Sequence, residues 1–238
     1  MDKTLLLIGG SNIDYIATSV NKIIPSVSNI GEVSISFGGV MRNICENLAR
    51  LGNKIDFITA IGNDANGKAL KNQLIEMGVN VYSPISNFPS GSYVAINDSN
   101  HDMINAICDN RIISTLDINY LKSLDELIKK CDLVVVATDN MEVNREISLK
   151  AHDKLVNWAS DISLSNVIVP STFNIGSVTI SLYTNSKSPL MAKQLRKKIQ
   201  SIITETDILF IELQEYVRYL LKKHVSSQDD RKEFMIHV

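Results

Sequence analysis

Short apolar runs closed by glycine recur along the first half of the chain. TLLLIGG and DLVVV hold the unbroken apolar runs Leu5–Ile8 and Leu133–Val136, the pattern of strands covered on both faces. EVSISFGGV alternates apolar and polar positions up to Phe37 and breaks at Gly38 and Gly39. NICENLARLG sets Ile44, Leu48 and Leu51 on one helical face and stops at Gly52, a good C-cap. KIDFITAIG reads as a further strand, and ANGKALKNQLIEMGV as a helix with Leu70, Leu74 and Met77 inward. SYVAINDSNHDMINAICDN reads as two strands around a polar turn, and INYLKSLDELIKKC as one helix leading into the LVVV strand. Strand and helix thus alternate, with an antiparallel hairpin inserted, which predicts an α/β chain with a mostly parallel sheet.

The texture changes after residue 146. LVNWAS and NVIVPSTFNIGSVTISLYT give consecutive short strands separated by Pro170 and the Asn174–Gly176 turn. SPLMAKQLRKKIQSII then opens a helix, with Ser188 placed to cap the free amides and Pro189 in the first turn. A second helix is predicted over roughly 206–223, and the polar tail SSQDDRKE is expected to fray.

Composition narrows the classes. The 238 residues are 45% apolar and 21% charged, ordinary for a globular chain that buries a core. A formal net charge of −2 gives no electrostatic reason to expect a nucleic-acid partner. No apolar run approaches the roughly 20 residues of a membrane span. MDKTLLLIGGSNID makes a poor secretion signal, because its apolar run is short, Asp2 precedes it and no small-residue cleavage site follows. Cys45, Cys108 and Cys131 lie far apart and form neither a disulfide framework nor a metal set. The expectation is a reduced, cytoplasmic protein that takes a small-molecule substrate, with no metal site, nucleic acid or membrane.

One constellation carries chemistry in the first half. Gly38 and Gly39 allow backbone amides to approach a ligand, and a helix start presents free N–H groups with positive partial charge. Asn43 offers a donor and an acceptor to a hydroxyl, and Asp14, just past the first strand, accepts from two hydroxyls at once. A Gly-Gly turn and an asparagine cap explain the same residues without any ligand.

FGGVMRNICENLARLGNKIDFITAIGNDANG resembles the first signature of ribokinase-like (PfkB-type) carbohydrate kinases, with the glycine pair, Asn43, Gly52, Gly62, Asp64 and Gly67 at the family spacing. Within that family, GGVMRNICENLARLG and YVAINDSNHDMINAICDN look most like pseudouridine kinases, and the resemblance covers about residues 3 to 136. It implies that Asp14, Gly38, Gly39 and Asn43 hold the ribose-like part of a nucleoside or sugar. It also implies that the hairpin around 92–107 is a lid, and that ATP with magnesium is the phosphoryl donor. The family's anion-hole glycine run with its aspartate base, of the form G-A-G-D, is absent from this sequence, where Gly176 is the one glycine after Gly91. Loss of base and phosphate neutralisation each costs orders of magnitude in rate. Sugar binding is therefore expected to survive and phosphoryl transfer to be lost.

From about residue 132, DLVVVATDNMEVNREI, LVNWAS and VIVPSTFNIGSVTISLYTNSKSPLMAKQLRKKI resemble the siroheme-pathway precorrin-2 dehydrogenases, over about residues 132 to 223. That resemblance implies NAD-dependent oxidation of a tetrapyrrole polycarboxylate, precorrin-2, to sirohydrochlorin. Asn157, Ser160, Lys187, Ser188, Lys193 and Arg196 are the implied tetrapyrrole contacts. Basic groups around a helix start suit an anionic substrate, although Lys193, Lys197 and Lys198 also fit a solvated helix face. Members that also insert iron carry an aspartate where Ser160 stands, with Asp161 one step later, so chelation is not expected. The family's Gly-rich NAD loop is replaced here by kinase-like sequence. LLLIGGSNID substitutes poorly for it, lacking a third glycine that opens a helix.

The whole predicts a composite chain with its crossover at 133–136: a Rossmann-like mostly parallel sheet with an inserted β-hairpin lid, then a small strand-rich dimerisation region and C-terminal helices. The expected domains are 1–136, the N-terminal half of a kinase domain; 137–189, the dehydrogenase-like strand region; and 190–238, helical. A homodimer through 165–190 is expected from exposed strand edges, and a non-catalytic dimer is the remaining alternative. Both half-sheets are expected to have lost their neighbours.

Overall fold

Five parallel strands carry the first part of the chain in the computed structural model, which describes residues 3–158, 161–185 and 188–236. Two compact units divide it, Met1–Ile168 and Val169–Val238. In the first, β1 (Thr4–Gly9), β2 (Asn12–Ser19), β3 (Gly31–Gly38), α1 (Val40–Arg50), β4 (Lys54–Ile58), α2 (Ala65–Glu76) and β5 (Asn80–Tyr82) come in order. They are followed by β6 (Gly91–Asn97), β7 (Met103–Asp109), α3 (Ile118–Lys122), α4 (Asp125–Lys130), β8 (Leu133–Ala137), α5 (Met141–Lys150) and β9 (Leu155–Trp158). The main sheet runs β5-β4-β1-β8-β9, with every neighbouring pair parallel.

Continuous apolar runs in β1 and β8 are what this sheet requires, because helices cover both faces. Leu6, Ile8, Val134, Val136, Val156 and Trp158 face one layer with Ile112, Leu121, Ile128, Val143 and Ile147. Leu5, Leu7, Ile55, Phe57 and Val135 face the other, against Met41, Cys45, Leu70 and Leu74. Burial pushes the Cys45 thiol up to about 12 and the Cys131 thiol up to about 11, so both behave as small apolar groups.

The chain's change of sequence character at 136–137 is not a break in the fold. β8 lies inside the sheet between β1 and β9, so it has kept a neighbour on each side. LVNWAS, expected in a separate strand region, supplies β9 to this sheet because its Val156 and Trp158 complete one apolar layer. Asn166 Oδ1 accepts from the Val156 amide at 2.6 Å, and the Asn157 side chain donates to the Val167 carbonyl at 2.9 Å, satisfying the outer edge of β9.

The expected hairpin is half of something larger. β6 and β7 do pair antiparallel, but β2 and β3 join them in a four-stranded sheet ordered β3-β2-β6-β7. INYLKSLDELIKKC is interrupted at Ser123 and Leu124, giving α3, capped by Asp117, and α4 instead of one helix. Asn43 does not start its helix: Gly39, at φ +100°, is the N-cap, and Asn43 sits one turn in, its amide donating to the Gly39 carbonyl at 2.9 Å.

The second unit holds an antiparallel hairpin, β10 (Ser171–Ile175) and β11 (Val178–Leu182), turning at Gly176 with φ +54°. It continues with α6 (Pro189–Ile202), α7 (Glu205–His224) and α8 (Gln228–Ile236). Ser188 caps α6 as expected, accepting from the Met191 amide at 3.1 Å. The polar tail forms α8, held where Arg231 donates to the Val225 carbonyl at 2.7 Å just past the end of α7.

Asp64 ties α2 to the start of the four-stranded sheet. Its carboxylate accepts from the Gly67 amide (2.7 Å), the Ser90 amide (2.6 Å) and the Ser90 hydroxyl (2.8 Å). Burial works to raise this carboxyl, but the Ser90 and Gly67 hydrogen bonds outweigh it and hold it below the usual carboxylate range. A depressed folded value means stability that is present above the unfolded value of about 3.9 and is lost as pH falls through the folded one. Asp64→Ala is expected to lower stability by about 2 kcal/mol at neutral pH. Urea unfolding repeated from pH 6 down to pH 3 should show a shallower acid loss in the variant, and parallel curves would overturn the assignment.

Candidate functional site

Two glycines end β1 and two end β3, and the chain turns sharply at both places around one cavity of about 590 Å³. It opens at the carboxyl ends of β1 and β8, the position where open α/β sheets place ligands. Gly10 comes from the β1–β2 turn, and Asn12 and Asp14 from the start of β2; Gly39, Val40, Met41 and Asn43 come from the start of α1. Ala137 ends β8, Thr138 and Asp139 follow it, and the four-stranded sheet also contributes Tyr93 and Cys108. Of the expected sugar residues, Asp14, Gly39 and Asn43 therefore share one cavity.

Gly38 acts one layer behind. It pairs with Asn12 across β2 and β3, and a Cβ there would overlap the Asp14 carboxylate. At Gly39, the positive φ excludes most side chains, and a Cβ would also stand 2.7 Å from the Gly10 carbonyl oxygen. No side chain caps α1, so its first-turn amides are left for whatever occupies the cavity.

Asn12, which sequence reasoning passed over, donates its side-chain amide to Asp14 Oδ1. An N-x-D pair on one strand points both side chains to one face, which was the available signal. The same alternation brings Asp14, Tyr93 and Cys108 to the cavity face through the registers Asp14↔Tyr93 and Tyr93↔Cys108. Burial first, then the carboxylates of Asp139, Asp109 and Asp14, push the Cys108 thiol up, which favours the thiol over the thiolate.

Asp139 is held from two sides. Asn110 donates to its Oδ2 at 3.4 Å, and the turn that presents it is locked by the fully buried Asn144. Asn144 Oδ1 accepts from the Thr138 amide (3.0 Å) and hydroxyl (2.6 Å), while its Nδ2 donates to the Thr138 carbonyl at 2.7 Å. The lining includes no lysine, arginine or histidine.

The dehydrogenase-type residues are more scattered. Ser160 and Lys187 lie outside the described residues. Asn157 spends its amide on the Val167 carbonyl in the first unit, and Ser188 caps α6 in the second. Lys193 and Arg196 do come together, lining a cavity of about 360 Å³ with Ser171, Tyr183 and Thr184, where Arg196 lies 5.0 Å over the Phe173 ring.

Residues 2–172 match the family model described as pfkB family carbohydrate kinase. The chain belongs to that family. The match runs past β8 and through β9, in line with one continuous sheet. Among pfkB relatives, the pseudouridine kinase of Escherichia coli (strain K12) is 34% identical over 135 residues, 55% of this chain and 42% of the relative. A precorrin-2 dehydrogenase of Methanosarcina barkeri is 36% identical over 111 residues, 46% of this chain and 49% of that protein. The chain thus spans about half the length of these two curated relatives. Ribokinase from Arabidopsis thaliana, complexed with ribose and ATP, shares the fold at TM-score 0.58 and 18% identity over 66% of this chain and 53% of that one.

Proposed function

We propose that the cavity binds the ribose-like ring of a nucleoside, pseudouridine first among them, and that this pfkB family chain is a substrate-binding form without phosphoryl transfer. The carrying observation is the convergence of Asp14, Asn12, Asn43 and the uncapped first turn of α1 on one cavity. Its volume, about 590 Å³, lies in the ordinary range for small-molecule sites. Asp14 serves as acceptor for ring hydroxyls, and Tyr93 offers an aromatic face to a base. Asp139 adds a second carboxylate, so a neutral polyhydroxylated ligand suits the lining better than a polyanion.

That lining does not fit ATP with magnesium: it offers no cationic side chain to a triphosphate, and the described residues contain no group of three or more potential metal ligands. The residues also do not fit NAD in the β1 turn. β1 passes through Gly10 and Ser11 directly into β2 with no helix start, and a Cβ at Gly9 would meet Met41 Cβ at 2.8 Å. No step through either cofactor is derived.

Thermal unfolding tests the reading. Pseudouridine at a hundred times its dissociation constant adds about 2.7 kcal/mol, a rise of about 5–10 °C for a chain of this size. The wild-type chain should show that rise and Asp14→Asn should lose it; no rise, or an equal rise in both, sinks the proposal.

A second reading, a precorrin-2 dehydrogenase lineage, is favoured by the Lys193–Arg196 cavity, whose charge suits a tetrapyrrole polycarboxylate. Stabilisation by such a ligand that Arg196→Gln removes would support it. The same reading has β10 and β11 pairing two chains through their open edges, which a solution mass measurement decides. No described helix is long and apolar enough to cross a membrane.

A further inference from the structure

Arg42 stands where elementary rules disfavour it. It is buried, 5% exposed, and sits in the first turn of α1, where the helix dipole presents positive charge. Four of its five guanidinium hydrogens are used. Nη2 reaches Gln73 Oε1 at 2.6 Å and Glu46 Oε2 at 2.5 Å; Nη1 donates to the Phe37 carbonyl and to Asn43 Oδ1, each at 3.1 Å. The fifth donor, Nε, is buried without a partner. An arginine at the wrong end of a dipole with an orphaned buried donor marks a place where stability has been conceded to something else.

We infer that Arg42 is a positioning residue that sets which end of the Asn43 amide faces the ligand. This rests on the nucleoside reading of the cavity. Arginine only donates, so the atom of Asn43 that meets it is the oxygen, and the Asn43 NH₂ is turned the other way. Among the described residues no protein acceptor takes that NH₂, and Asn43 lines the cavity. Asp14 is oriented by the same logic from the opposite side: a carboxylate only accepts, so Asn12 meets it with its nitrogen. The cavity therefore presents a fixed donor from Asn43 and a fixed acceptor from Asp14. The ligand hydroxyl beside Asn43 must accept and the one beside Asp14 must donate, a pattern that neighbouring hydroxyls on one ring satisfy together. Without Arg42 the amide is free to turn its oxygen inward, and two acceptors would then confront the diol.

A purely structural Arg42, stapling α1 to α2 through Gln73, predicts something different, and a double-mutant cycle separates the two. Pseudouridine affinity is measured by calorimetry for the wild-type chain, Arg42→Met, Asn43→Ala and the double variant. The positioning role predicts at least a fivefold loss for Arg42→Met, which removes every donor, in the wild-type background and less than a twofold change in the Asn43→Ala background. Equal losses in both backgrounds overturn it. Asn43→Asp adds a variant that keeps the Arg42 contact: it should melt no lower than wild type yet bind at least tenfold more weakly, and wild-type binding would overturn the donor assignment. A chain that binds no pseudouridine at all refutes the nucleoside reading instead. Arg42 is then judged without ligand, by the Asn43 side-chain amide signal in ¹⁵N NMR, identified by its loss in Asn43→Asp. Arg42→Met should shift that signal, and an unmoved signal ends the proposal.

Discussion

Gly38→Ala is expected to weaken nucleoside binding about a hundredfold while the chain still folds cooperatively. The new methyl would occupy the space of the Asp14 carboxylate, the far end of a side chain that is free to swing aside. Folding therefore survives, but Asp14 leaves both Asn12 and the cavity. A hydrogen bond to a charged group contributes about 1.5–3 kcal/mol, and its loss corresponds to roughly 10- to 150-fold in affinity. Calorimetric titration with pseudouridine beside a melting curve reads both halves of the expectation. Affinity within threefold of wild type would mean that Asp14 is not the acceptor for the ring.

Leu6→Ala should destabilise the chain by about 2–5 kcal/mol, and the change should be visible at the far side of the sheet. Leu6 lies in the centre of β1, fully buried, and shares one apolar layer with Val134, Val156 and Trp158. Trp158 is the chain's single tryptophan, on the last strand of that sheet, so its fluorescence reports β9 alone. With a urea dependence of about 1–3 kcal/mol per molar, the tryptophan midpoint should fall by about 1 M or more. A midpoint that stays put while circular dichroism loses stability would show that the segment after residue 136 unfolds separately.

Much of the fold could be read from pattern. Continuous apolar runs marked β1 and β8, helical spacing marked α1 and α2, and Ser188 marked the start of α6. β9 was legible as a strand but not as a member of the main sheet, because Leu155–Trp158 is short and parallel pairing leaves no turn in the sequence to announce it. The four-stranded sheet was half visible for a related reason: β2 carries apolar residues on both faces, so its alternation does not show. At the candidate site, Asp14, Gly39 and Asn43 could be singled out in the sequence because close backbone approach and paired donor and acceptor groups restrict residue type, and they share one cavity. Tyr93, Cys108 and Asp139 carry no such restriction and come to the cavity only through strand register and the turn after β8.

The sequence by itself determined an alternating α/β chain, a glycine-bounded cradle and a change of family character near residue 136. Those depend on local periodicity, turn chemistry and residue type, which are written in consecutive positions. Only the tertiary structure decided that the change of character falls inside one continuous sheet, that Gly38 leaves room for the Asp14 carboxylate, and that Arg42 donates to the Asn43 amide oxygen. Each of those rests on contacts between distant segments, where burial and donor–acceptor matching select one pairing among many that the local pattern permits.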